Sequence, residues 1–263
     1  MFNIVAISLR AIFRDRVFHG ILVVASVFLI IPSISSLSMR QVTELSITLS
    51  LSLLSFILLL LSISLGATTI WKDIERRYTY SVLSLPFERS TYIIGKFLAV
   101  ALFLLLTTLV LGTVACLVVW LSSSIYPSER PIVWSNLVIC IIFDALKYII
   151  LVSYAFLFST VSTSFFLPIF GTISIYFAGN ATQQVYDYIN SPVSSSLPLF
   201  IKKGAVVLYY LLPNFSAFDL NINAIYGIAL PVKAVVLPSA YFCIYTMLLM
   251  ALATIVYCRR EMK

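Results

Sequence analysis

Charge is the first thing this sequence has little of. Asp, Glu, Lys and Arg make up 10% of its 263 residues, where soluble domains carry about 25%. With 61% hydrophobic residues and a mean hydropathy of +1.07, a soluble globular protein is excluded. Histidine occurs once, at His19, so a His-Glu-x-x-His zinc site cannot be built, and a Ser-His hydrolase would depend on a residue near the inner end of the first apolar run. The four cysteines, Cys116, Cys140, Cys243 and Cys258, fall inside or at the ends of apolar runs without paired spacing. Neither a disulfide framework nor a metal site is indicated. Gly95-Lys96 is no phosphate loop, because Ser90 stands where the first glycine belongs and Phe97 where the Ser or Thr belongs. The chain is not expected to be an enzyme.

What is present is a series of long uncharged runs. A hydrocarbon core about 30 Å thick takes roughly 20 apolar residues per helix. Such runs extend from Val17 to Ser38, Leu45 to Ile70, Ile93 to Leu121, Val133 to Phe158, Phe165 to Val185 and Val235 to Cys258. The expectation is an all-α polytopic membrane protein, a single domain over 1–263 with six transmembrane helices and both termini on one side. The turn between the fourth and fifth spans is placed at the hydroxyl cluster Ser159, Thr160, Ser162, Thr163 and Ser164.

The net charge of +7 reports orientation rather than a nucleic-acid partner, and none is expected. One face of the six-span arrangement carries eleven of the 17 Lys and Arg residues, the other carries five, and Lys147 lies within a span. Because basic residues are retained in the cytoplasm, both termini are expected there.

Residues 1–16 read as an amphipathic elbow helix on the membrane surface: Phe2, Val5, Leu9, Ile12 and Phe13 fall on one side, with Asn3, Arg10 and Arg14 on the other. Segment 186–232 is long for a plain connection and should be structured. Within it, Leu199 to Leu212 reads as a short apolar helix stopped by Pro213, too short to span and so re-entrant or interfacial. Most of the aromatic residues toward the outer side, Trp120 and Trp134 among them, fit an interfacial belt. The triplets at Asn180 to Thr182 and Asn214 to Ser216 occur too commonly by chance to carry a function.

Asp144 and Lys147 interrupt an otherwise uncharged interior, and an intramembrane ionisable residue is by default a functional candidate. Three apart, they share one helix face, about 22 Å and about 18 Å from the turn at Ser159. Two readings stand level: a polar element lining a substrate path or a dimer seam, or a self-neutralising pair whose lysine reaches the headgroups. Asp144 is the only acid within a span, which leaves an aspartyl protease without its second carboxylate.

The most informative segment is the cytoplasmic loop 71–92. Asp73, Glu75, Arg76 and Arg77 open it with mixed charge, Tyr80, Val82, Leu83 and Leu85 follow, and Pro86 ends any helix. A short helix charged at one end and greasy along its length suits a groove in a cytoplasmic partner. Arg89 and Lys96 bracket the return into the membrane, and Gly95 permits close packing of the third span.

The sequence E75-R-R-Y-T79, then L83-S-L-P86-F-E-R89 and G95-K96, resembles the loop of ABC-2 type transporter permeases, with Tyr78 standing where many members have glycine. The stretch Y209-Y-L-L-P-N-F-S-A-F-D219 is similar to the outward segment of the subgroup that includes the nitrous-oxide-reductase maturation permease. The resemblance implies a permease of the cytoplasmic (inner) membrane that exports or flips a substrate, working with a separate ATPase that binds ATP and Mg, and with a second permease copy. Its loop residues Glu75, Arg76, Arg77, Thr79, Leu83, Leu85, Pro86 and Arg89 would couple to that ATPase. The subgroup also implies an alternative, a subunit acting on an extracytoplasmic partner. A secondary carrier would call for repeated halves and several midplane charges, which the sequence does not show.

Overall fold

Runs of Leu, Ile, Val and Phe that must hide their backbone groups from lipid do so as helices. The computed structural model describes residues 2–14, 20, 23–38, 41–75, 88–125, 131–162, 164–191 and 198–259. Among them every regular element is helical, with no strand. Helix α1 is Phe2–Phe13. A 3₁₀ turn at Ser26–Ile30 leads into the short α2 (Ile31–Ser35), followed by α3 (Val42–Glu75), α4 (Arg89–Ile125), α5 (Trp134–Val161) and α6 (Phe166–Asn190). Helix α7 (Leu199–Leu211), a 3₁₀ turn at Phe215–Phe218, α8 (Asn221–Tyr226) and α9 (Val232–Arg259) complete the chain.

Helices α3, α4, α5 and α9 are long and apolar enough to cross a membrane, and a fifth crossing results if α7 and the Phe215–Tyr226 piece, bent by 49°, count as one broken span. The chain therefore has the build of a multi-pass membrane protein. Two of the six expected spans look different. The fifth is present as α6, about 37 Å long at 1.5 Å per residue, but Asn180, Thr182, Gln183, Gln184 and Asp187 make its second half polar. The first has its described helical part at Val23–Ser35, short of a crossing.

Helix α5 is the axis of the bundle. In its most apolar stretch 78% of residues are buried inside the protein, against 22% for α9, and it packs on α3, α4, α6 and α9. The ends of the helices define two faces. Tyr92 of α4 stacks on Tyr257 of α9 with centroids 6.4 Å apart, and Trp71 of α3 meets Phe165 just before α6 at 4.7 Å. These ends flank 76–87 and form the proximal face. The start of α3 meets the end of α4 through Ser46 and Ser122, whose hydroxyl oxygens are 2.7 Å apart, at the distal face.

Inside the bundle, hydroxyls satisfy themselves against carbonyls one turn back. Thr68 donates to Ser64 O at 2.7 Å, Thr108 to Leu104 O at 2.8 Å and Ser153 to Ile149 O at 3.1 Å. Ser159 instead donates across helices to Ala67 O at 2.9 Å. The turn after α5 falls at the end of the expected hydroxyl cluster, where the Ser164 backbone N–H donates to Ser162 Oγ at 2.9 Å, while Ser159 and Thr160 are buried within the helix.

Helix α1 forms where it is expected, yet its packed stripe is Ile4, Ser8, Leu9 and Ile12, laid against α4, with Ile7 67% exposed. Gly95 makes this approach possible: a Cβ there would meet Ile4 Cγ2 at 3.0 Å. Phe13 adds an edge-on contact with Phe103 at 5.2 Å.

Candidate functional site

The 3.6-residue period of α5 sets Cys140, Asp144, Lys147 and Tyr148 along one side of that helix. It faces Ser55 of α3, Tyr176 of α6 and the distal segment after Pro213. Asp144 is 4% exposed and Lys147 7%. Ser55 Oγ and Tyr148 Oη lie 2.7 Å apart, and the Ser55 hydroxyl also lies beside the Asp144 carboxyl. The Tyr148 and Tyr176 rings stack at 6.3 Å. Lys147 Nζ sits over both, 5.4 Å from the Tyr148 centroid and 5.7 Å from that of Tyr176, an arrangement in which ring faces attract the ammonium.

Asp144 and Lys147 do not neutralise one another directly. Among the described residues no ion pair within 4 Å joins them, Asp144 Oδ2 has no hydrogen-bond partner, and the Lys147 N–H donors meet no acceptor. The Lys147 head lies over the buried Tyr148 ring and the half-buried Tyr176 ring.

Above this face the distal segment folds into the bundle. Pro213 ends α7 by withholding a backbone N–H, and Phe215 and Phe218 insert, 0% and 1% exposed. Gly179 of α6 makes room: a Cβ there would stand 2.6 Å from the Phe215 ring and 2.8 Å from Pro213 O. Asn214 pins the bend. Its Nδ2 donates to Gln183 Oε1 at 2.7 Å, and its backbone N–H donates to Tyr241 Oη at 3.3 Å. Tyr209 Oη donates to the same Gln183 oxygen at 3.2 Å. The two triplet asparagines thus have structural work: Asn180 donates to Tyr176 O at 2.8 Å.

Farther along, Asn136 Nδ2 reaches Asn223 O at 3.1 Å and Ile228 O at 2.9 Å. Cys140 Sγ donates to Asn221 Oδ1 at 3.2 Å, and the Asn221 N–H donates to Asp219 Oδ1 at 3.2 Å. Asp219 is exposed, so polar groups run from the surface down to Asp144. Sequence reading missed Ser55, Asn136, Tyr176, Gln183 and Asn221. The one signal available was an amide or hydroxyl inside an apolar run, which occurs at many positions that merely bond their own helix.

At the proximal face, Glu75 closes α3 and Arg89 opens α4. Arg76, Arg77, Thr79, Leu83, Leu85 and Pro86 lie outside the described residues. The helix ends on either side of them are tied together. Lys96 of α4 forms an ion pair with Asp73 of α3 and lies 3.4 Å from Thr69 O, and Tyr92 donates to the same Asp73 oxygen at 2.5 Å. Lys96, expected as a charge bracketing the return into the membrane, is a cross-helix fastener.

No protein-family model matches the sequence, and no curated protein matches it either.

Proposed function

We propose that this chain is the membrane-spanning subunit of an ABC-2 type transporter, exporting or flipping a substrate across the cytoplasmic membrane while a separate ATPase binds Mg and ATP and hydrolyses the nucleotide. The observation that carries this reading is the loop pattern from Glu75 to Lys96, set between two long apolar helices whose ends are fastened by Asp73, Tyr92 and Lys96. A loop held this way delivers a push from a docked partner to α3 and α4 as a unit.

On this reading the apolar segment around Val23–Ser35 and the half-polar α6 join the four long helices as the first and fifth of six spans. The termini and the 76–87 loop are cytoplasmic, α1 is an elbow beside the inner leaflet, and a second copy completes the permease. Some of the polar residues in α6 meet the distal segment, as Thr182 and Gln183 do, while Gln184 and Asp187 are exposed toward the distal end of the helix. Asp144 and Lys147 then belong to the translocation path. A second reading, a subunit that moves an extracytoplasmic partner, draws support from the pinned distal segment, where Asn214, Gln183, Tyr209 and Tyr241 would transmit motion rigidly.

The test is co-expression with the ATPase encoded beside its gene. Wild type is expected to co-purify with that ATPase and to alter its turnover, whereas Leu83→Asp places a charge in the docking surface and is expected to abolish the complex, with Glu75→Ala weakening it at least tenfold. An ATPase that neither co-purifies with wild type nor responds to the variants would sink the assignment.

A further inference from the structure

We propose that the Asp144–Lys147 seat binds an ammonium–phosphate zwitterion of the phosphoethanolamine type. The phosphate goes to Lys147, and the primary ammonium to Asp144. This deepens the transporter reading, on which it rests only for calling the ligand a substrate.

Two buried charges of opposite sign on one helix face would ordinarily collapse onto each other, because each is costly to strip of water and their attraction is strong where water is excluded. Here they are held apart. Tyr148 and Tyr176 keep the lysine head over their ring faces, while Ser55 engages Tyr148 and flanks the carboxyl. The result is a buried carboxylate oxygen lacking a donor beside a lysine whose ammonium faces ring π-electrons rather than that carboxylate, on two residues each more than nine-tenths buried.

A simple anion would satisfy Lys147 and be repelled by Asp144 and by Asp219, whose charges lie together on this side. A simple cation would satisfy Asp144 and be repelled by Lys147. A quaternary ammonium has no N–H for Asp144 Oδ2. The complementary guest has both signs and a primary amine. Asp219, exposed where the polar run meets the surface, gives the amine a first partner, with Asn221 and Cys140 between it and the seat. A phosphatidylethanolamine headgroup and free O-phosphoethanolamine share this chemistry.

The experiment is thermal unfolding of the delipidated full-length protein in detergent, with no ATPase and no ATP, so that failure of coupling in the Leu83→Asp test leaves it untouched. Additives are short-chain phosphatidylethanolamine, phosphatidylcholine and phosphatidylglycerol, and O-phosphoethanolamine. Phosphatidylethanolamine is expected to raise Tm by about 5 °C more than the other two lipids near saturation, and D144N and K147Q are each expected to remove most of that difference. A matching shift with O-phosphoethanolamine assigns the site to the free compound; a shift with the lipid alone assigns it to a bilayer headgroup. Equal shifts from the three lipids, a preference for phosphatidylglycerol, or a phosphatidylethanolamine preference retained in both variants would overturn the proposal. Because the lipid comparison is made in wild type, a variant that fails to fold does not shelter it.

Discussion

Asp73 and Lys96 are 23 positions apart in sequence, and their pairing shows what single side chains do in this bundle. The two are 17% and 14% exposed, enough burial that removing either one takes away an ion pair that solvent does not fully replace. Loss of either half of a buried pair is strongly destabilising, while replacing both is cheaper. D73N and K96M are each expected to cost about 2 kcal/mol, discounted from the fully buried case because both groups retain some solvent. The double variant should cost clearly less than the sum, giving a coupling of about 1 kcal/mol or more in a double-mutant cycle read by denaturant unfolding in detergent. Additive losses would mean that the pair is incidental. Y92F, which removes only the donor at 2.5 Å, is expected to cost about 1 kcal/mol.

Single elements differ in how far the sequence announced them. Helices α3, α4, α5 and α9 follow their uncharged runs because, in lipid, a continuous apolar stretch has one way to satisfy its backbone. The stop of α7 before Pro213 is legible from the proline itself, whereas α9 begins at Val232, three residues ahead of the uncharged run from Val235, with Lys233 in its first turn. Helix α6 was harder. Its uncharged run ends at Val185, but the helix continues to Asn190; Thr182 and Gln183 find partners in the distal segment while Gln184, Asp187 and Asn190 stay exposed, and nothing in the local sequence says which of them will be met. The same blindness hid Ser55, Tyr176 and Gln183: each becomes informative only through a partner on another helix.

Meeting α6 in this way depends on close approach, so the element-scale prediction concerns Gly179. Gly179→Val would drive branched methyl groups into the Phe215 ring and Pro213 O. Overpacking of this kind costs about 1–3 kcal/mol and should lower Tm by several degrees, with the distal segment becoming cleavable by added protease while α3 and α4 stay protected. Unchanged protease resistance would show that the bend does not rely on this contact.

For the whole molecule, the helix ends sort into two faces, and the proposed function assigns them opposite sides of a membrane. Glu88, at the foot of α4, belongs with the proximal ends that flank the loop. Asn190, the last residue of α6, belongs to the distal face, because α6 begins beside Trp71 and climbs past Phe215 before it ends. Both residues are exposed, so a cysteine at either is open to reagent. Replacing Cys116, Cys140, Cys243 and Cys258 by alanine and adding Glu88→Cys or Asn190→Cys separately gives two reporters that differ only in face. A membrane-impermeant maleimide applied to intact cells is expected to label Asn190→Cys fully, and Glu88→Cys only after permeabilisation. The reverse pattern would put the 76–87 loop outside and remove it from any cytoplasmic ATPase. Labelling of both in intact cells would mean that α6 does not carry the chain across, leaving α3, α4, α5 and α9 as the membrane crossings and the zwitterion seat open to one side only.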